Sequence, residues 1–249
     1  MIETQRSKDE AKELTPVELM GLKRLSGQMN WVVTQTRPDV SFEVCVMSNT
    51  GKSPKVKLIK DANRALRKLK NNSLCLHFPP LGDPSNLEVL AFSDATYASL
   101  VDGSSQGGHV VLLKGQNDVV VPISWQSKKL NRVTKSPLAS EALSVNEAAD
   151  TGYLISSMLA EILNLSNLPV VHCFTDSKSL VENLESTKVV SDKRLRVDVA
   201  RLRQMVERKE VCLHWVEGCD QIADSLTKRG ASFHKLFEVL KESKLHINF

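Results

Sequence analysis

Residues 87–99 read "LEVLAFSDATYAS". Leu87, Val89, Leu90, Ala91 and Phe92 form a nearly unbroken apolar run, the pattern of a central strand buried on both faces of a parallel or mixed sheet. The run stops on Asp94, where a bare carboxylate is poorly solvated. Residues 168–184, "LPVVHCFTDSKSLVENL", repeat the pattern. Val170, Val171, Cys173 and Phe174 lead to Asp176, and a helix is expected from Ser177 onward. Asp176 alone could be the N-cap of that helix. In open α/β sheets, however, ligands bind at the carboxyl ends of strands. Two parallel central strands that both end on Asp would bring two carboxylates together there.

Working outward, strands are expected at 73–78, 87–93, 107–113, 119–125, 169–175 and 211–216, and helices at 137–163, 177–185, 192–208, 219–228 and 232–243. Three strands joined by short turns, a long helix and then strand–helix units predict an α/β domain with a mixed sheet. Residues 1–72 read differently, as helices. Thr15, Pro16 and Glu18 supply an N-cap, a first-turn proline and a capping-box acid. Residues 37–51 read as a second, short helix. A third is opened by Ser53-Pro54 and closed by Asn71-Asn72. Its apolar face is Val56, Ile59, Ala62, Leu66 and Leu69. Its other faces carry Lys55, Lys57, Lys60, Arg64, Arg67, Lys68 and Lys70, a solvated surface or one laid along a phosphate backbone. The expected division is therefore 1–72, helical, and 73–249, α/β.

The long helix adds a third acid. Leu138, Glu141, Val145, Ala148, Gly152, Ile155, Leu159 and Ile162 step alternately by three and four, one continuous face with Glu141 as its charged member.

 A glutamate on a buried stripe needs a basic partner or a cation. A fourth acid, Asp224 in "GCDQIADSLTKRG" (218–230), lies in a short helix after the strand that ends "LHWVEG". Clustered carboxylates resist ionising together unless a cation compensates them, and oxygen-only ligands favour Mg²⁺ or Mn²⁺ over zinc. Two such ions activate a water and stabilise the leaving oxygen in phosphodiester hydrolysis. The histidines show no ligand spacing.

Composition agrees with a globular chain. Of 249 residues 41% are hydrophobic and 25% charged, enough to build a core and too little charge for a disordered chain. The net charge of +4 suits an anionic partner without requiring one. Five cysteines, an odd number with no CxxC pair, point to a reducing, intracellular setting and against a disulfide scaffold. No stretch approaches the roughly 20 apolar residues that span a bilayer, so no membrane partner is expected.

The acids occur in the order Asp–Glu–Asp–Asp, in the contexts "FSDA", "ASEAL", "FTDSKSL" and "QIADSLTK". In these motifs the chain resembles the ribonuclease H domain of copia-type long-terminal-repeat retrotransposon polyproteins. "ISWQSKKL" (123–130) is similar to that family's strand-and-lysine segment, and "ADSLTK" to its closing motif. "LSGQMNWVVTQTRPDVSFEV" (25–44) is similar to the thumb and connection segment that follows the polymerase palm. The resemblance implies a ribonuclease H-like fold, five strands in the order 3-2-1-4-5 flanked by helices. It also implies cleavage of the RNA strand of an RNA–DNA hybrid with two Mg²⁺ or Mn²⁺ ions. Asp94, Glu141, Asp176 and Asp224 match the family's metal-binding acids. On that likeness Asp94 bridges both ions, Glu141 and Asp176 hold the one near the leaving oxygen, and Asp224 holds the one that delivers water.

The chain departs from the family pattern at residues 186–209, which lack the expected histidine. It also contains no adjacent Asp-Asp pair, so no polymerase palm is expected within it, and the palm of a parent polyprotein is a candidate partner. Two basic clusters are candidate phosphate contacts: Lys128, Lys129, Arg132 and Lys135, then Lys188, Lys193, Arg194 and Arg196. Trp125 and Trp215 are expected in the core. Two functions follow: a hybrid-specific ribonuclease, or a catalytically weak nucleic-acid-binding or structural module left from a retroelement polymerase.

Overall fold

The computed structural model describes residues 2, 9–186 and 190–247. Three helices come first: α1 (Pro16–Thr36), α2 (Ser41–Ser48) and α3 (Val56–Asn71). The Thr15–Glu18 capping box opens α1, with the Glu18 backbone N–H donating to the Thr15 hydroxyl and Glu18 Oε2 accepting from the Thr15 backbone N–H. Pro38 starts a separate 3₁₀ turn ahead of α2. Helix α3 starts at Val56, two residues beyond Pro54. Leu22, Met29, Val44 and Ala62 lie in a core that these helices share.

The sheet contains β1 (Glu88–Thr96), β2 (Gln106–Lys114), β3 (Val120–Lys129), β4 (Val170–Thr175) and β5 (Cys212–Trp215) in the order β3-β2-β1-β4-β5. β1, β2 and β3 are antiparallel, whereas β4 runs parallel to β1 and β5 parallel to β4. The connecting helices are α4 (Pro137–Leu163), α5 (Lys178–Glu185) and α6 (Lys193–Glu207), with α7 (His234–Glu242) near the end. This strand order and these directions define the ribonuclease H-like fold.

Each face of the sheet carries its own core. Val89, Ala91, Val111, Val171 and Cys173 meet α4 through Ala142, Val145, Ala148 and Ala149. On the opposite face Leu90, Phe92, Val110 and Phe174 meet Ile222, Leu226, Leu236 and Leu240. The Phe92 and Phe174 rings stack at 4.5 Å between centroids. Gly152 lets α4 approach β4, because a Cβ there would lie 2.7 Å from Val171 Cγ1.

Several expectations need correction. Residues 73–78 form no strand; Leu74 and Leu76 pack onto the second core, and Pro79-Pro80 cannot donate to a ladder. The expected helix 219–228 is two 3₁₀ turns, Gly218–Asp220 and Ile222–Leu226. Ile162 is 72% exposed, since α4 extends beyond the sheet it covers. Trp215 is 46% exposed on the edge strand β5, whereas Trp125 is half-buried and its Nε1 donates to the Val33 carbonyl at 2.8 Å. "SSQGGH" is only partly a turn: Gly107 and Gly108 belong to β2. Among the described residues no helix is long and apolar enough to cross a membrane.

Candidate active site

The register explains why two acids converge. In the parallel β1–β4 pair the last partners are Phe92 and Phe174, and each strand carries an Asp two residues further on, Asp94 and Asp176. Asp94 is not the end of β1, because β2 continues to pair with it through Gly108, Gly107 and Gln106. A rigid ladder therefore holds its backbone, and its side chain is buried at 1% exposure.

Helix α4 delivers the third acid. The Ser136 hydroxyl accepts from the Ala139 N–H to cap it, and Pro137 occupies its first turn. One turn beyond Glu141, the Ser144 hydroxyl donates to the Asp94 carbonyl at 2.8 Å and accepts from the Ser93 hydroxyl at 2.9 Å. These bonds fix α4 against β1. Asp94, Glu141 and Asp176 each offer an oxygen within 4.8 Å of the others.

Asp224 arrives on the 3₁₀ turn Ile222–Leu226. Gln221 anchors that turn: its Nε2 donates to the Ser93 carbonyl at 3.0 Å, and its Oε1 accepts from the Ala223 N–H at 3.2 Å. Gly108 makes room, since a Cβ there would lie 2.8 Å from Leu226 Cβ and 2.9 Å from Thr227 Cγ2. Asp224 stands outside the close set of three acids. Its Oδ1 accepts from Lys228 Nζ at 2.7 Å, and the same ammonium lies 3.4 Å from Asp94 Oδ1. The Thr227 hydroxyl donates to Asp94 Oδ2. Both side chains lie within "ADSLTK", and Lys228 was legible as an i,i+4 partner of Asp224. Trp215 was also missed as a neighbour of the site; its Nε1 donates to the Asp176 carbonyl at 3.2 Å.

Electrostatics set the needs of this cluster. Burial pushes Asp94 up to about 6, with Lys228 and Thr227 opposing the rise. Burial, followed by the charges of Asp94 and Asp176, pushes Glu141 up to about 9. Burial also raises Asp176, against the pull of Lys228. Glu141 Oε2 is buried and has no hydrogen-bond partner among the described residues. An orphaned carboxylate oxygen beside two further carboxylates suits a hard divalent cation, which would compensate the charge and fill the missing contact.

The basic clusters are less available than their composition suggests. Lys128 pairs with Glu147 at 2.8 Å, Lys129 with Asp102, Arg132 with Asp198, and Lys135 with Asp192 at 3.3 Å. Arg132, Lys135 and Arg194 line a cleft of about 220 Å³ together with Asp192 and Asp198. Arg196 Nε donates to the Val190 carbonyl at 2.9 Å. Lys193 and Arg194 have no ion pair among the described residues, and Lys188 lies outside them.

The fold is that of a ribonuclease H-like domain. No family model matches the chain. Its homologues are retrotransposon Pol polyproteins, consistent with the copia-type resemblance. The retrovirus-related Pol polyprotein from transposon RE1 of Arabidopsis thaliana is 30% identical over 202 residues, 78% of this chain and 13% of that protein. A putative transposon Ty5-1 protein of Saccharomyces cerevisiae is 31% identical over 128 residues, 51% of this chain and 37% of the relative. The chain thus spans a minor part of both. Among solved structures, LC11-RNase H1 isolated from compost is 14% identical and covers 56% of this chain and 92% of its own, with a TM-score of 0.42. The fold assignment rests on strand order and direction instead.

Proposed function

We propose that the chain is a divalent-metal-dependent endonuclease that cleaves the RNA strand of RNA–DNA hybrids. The observation that carries this reading is the convergence of Asp94, Glu141 and Asp176, together with a buried Glu141 oxygen that has no hydrogen-bond partner among the described residues. Residues 73–249 would be the catalytic domain. Residues 1–72 would be a thumb- and connection-like helical unit that helps grip the duplex. The setting would be intracellular, where the cysteines, all free, stay reduced.

Asp94, Glu141, Asp176 and Asp224 would hold two Mg²⁺ or Mn²⁺ ions. When bound, such ions lower the pKa of a water and stabilise charge on a leaving oxygen. The protein supplies the rest. The β1 ladder and the Ser144 bond fix Asp94, so the cluster needs little reorganisation when charge develops. Gln221 keeps Asp224 at the same end of the sheet. Lys193 and Arg194 are available to a phosphate backbone and would position it without reading its sequence.

The alternative, a module that binds nucleic acid without cutting it, draws support from the paired state of Lys128, Lys129, Arg132 and Lys135. Those ion pairs limit the grip on a duplex and would leave substrate delivery to the palm of a parent polyprotein. Incubating the chain with labelled RNA–DNA hybrid, double-stranded RNA and duplex DNA in Mg²⁺ separates the readings. Selective loss of the hybrid's RNA strand supports the nuclease; binding of the hybrid with no cleavage in Mg²⁺ or Mn²⁺ supports the module.

A further inference from the structure

Asp224 is held differently from the other acids. Asp94 and Glu141 lie within β1 and α4, and Asp176 directly follows β4, whereas Asp224 sits in the 3₁₀ turn Ile222–Leu226, outside the sheet. Leu226, the last residue of that turn, is fully buried, and its carbonyl accepts from the Ser127 hydroxyl of β3 at 2.6 Å. Ser127 has a single hydroxyl proton, so its oxygen serves its other neighbour as an acceptor. That neighbour is Gln106, at the start of β2 and fully buried, whose Nε2 donates to Ser127 Oγ at 2.8 Å. The same amide nitrogen donates to Cys45 Sγ of α2 at 3.2 Å, and the thiol in turn donates to Gln106 Oε1 at 3.5 Å. A row of side chains thus runs from the helical unit, through two strands, to the turn that carries the fourth acid.

We infer that Gln106 and Ser127 are positioning residues through which α2 of the helical unit holds the turn that carries Asp224. The inference rests on the metal-dependent reading above. Hydrogen bonds in a row polarise one another, and losing one in a buried place leaves a group unsatisfied. Removing the Ser127 hydroxyl strands the Leu226 carbonyl, two residues from Asp224 and next to Thr227, whose hydroxyl donates to Asp94 Oδ2. The turn would then depend on its other end, where Gln221 Nε2 donates to the Ser93 carbonyl at 3.0 Å, and on the Thr96 hydroxyl, which donates to the Thr227 carbonyl at 3.2 Å. None of the four acids comes from the helical unit, yet that unit contributes to the geometry of one of them as well as to the grip on a duplex.

Amide hydrogen exchange of the full chain, followed by NMR, tests this through Thr227 and Lys228, whose N–H groups donate to the Asp224 carbonyl at 3.1 and 3.0 Å. Ser127→Ala, Gln106→Leu and Cys45→Ala should each speed exchange there by about fivefold, the change that one net hydrogen bond brings, with the β1 and β4 amides unchanged. Ser127→Thr, which keeps the hydroxyl, should exchange like wild type. In Mg²⁺ the same three variants should lower kcat on the hybrid and leave KM within about twofold, because the acid and not the duplex contact is disturbed. Unchanged exchange at Thr227 and Lys228 in Ser127→Ala, or an equal rise across β1 and β4, overturns the inference. So does a Cys45→Ala protein that matches wild type, or a locally loosened turn with kcat unchanged. If no protein cleaves the hybrid, wild type included, the nuclease reading falls, while the exchange rates still decide whether α2 holds the turn.

Discussion

Glu141 shows how a single residue can be placed by sequence and still not be understood from it. Its position on an otherwise apolar stripe marks it as needing a partner. Its orphaned oxygen becomes visible only once β1 and β4 are set beside α4. Asp94 and Asp176 were legible from their apolar runs, and their equal offset from Phe92 and Phe174 follows from the register. The raised values of Asp94 and Glu141 carry a stability consequence for the metal-free protein. Both acids bind protons in the folded state at pH values where the unfolded chain has lost them. Metal-free stability therefore falls as pH rises through about 4 towards 9. Thermal melts in EDTA should show this fall, and Mg²⁺ should raise the melting temperature more at pH 8 than at pH 5. Glu141→Gln should flatten the upper part of the EDTA profile; an unchanged profile would contradict the assignment of Glu141.

At the scale of elements, α4 was readable to its ends because Ser136, Pro137 and a continuous apolar face define it. The segment carrying Asp224 was not. Its 3₁₀ turns are set by contacts distant in sequence, the Gln221 bond to Ser93 and the space above Gly108. Those contacts have no local periodicity to reveal them. Gly108→Ala should force the turn away from β2, costing about 1–3 kcal/mol as overpacking does. Urea denaturation would measure the loss, and hybrid cleavage should fall with it because Asp224 moves. Wild-type stability and cleavage in Gly108→Ala would remove Gly108 from the account. The basic clusters show the opposite limit. Lysines and arginines are plain in a sequence, but the acids that pair with them come from elsewhere in the fold.

At the scale of the molecule, the helical unit and the sheet meet through Trp125 and Val33, and Arg229 Nη1 lies 3.5 Å from Asp61 of α3. Trp125→Phe removes the indole donor and should destabilise the chain by about 1 kcal/mol. Limited proteolysis should then cut more readily in the 72–80 connection, while a cut rate equal to wild type would argue against a role for this contact. The paired state of the first basic cluster also limits counterion release. The salt dependence of hybrid binding should have a slope shallower than about −4, fewer phosphate contacts than the eight candidate cations would supply. Fluorescence anisotropy across a salt series measures that slope; one near −7 would mean that the ion pairs open on binding.

The central claim is that carboxylates placed two residues beyond the last paired positions of the parallel β1–β4 ladder, with Glu141 of α4, form a divalent-metal site that hydrolyses RNA paired to DNA. The most direct measurement uses a hybrid labelled on both strands, with wild type and Asp94→Asn, in Mg²⁺ and in EDTA. Cleavage of the RNA strand alone is expected from wild type in Mg²⁺, with none in EDTA and a loss of at least about a hundredfold in Asp94→Asn. RNA cleavage that persists in EDTA, or at an unchanged rate in Asp94→Asn, would contradict the account.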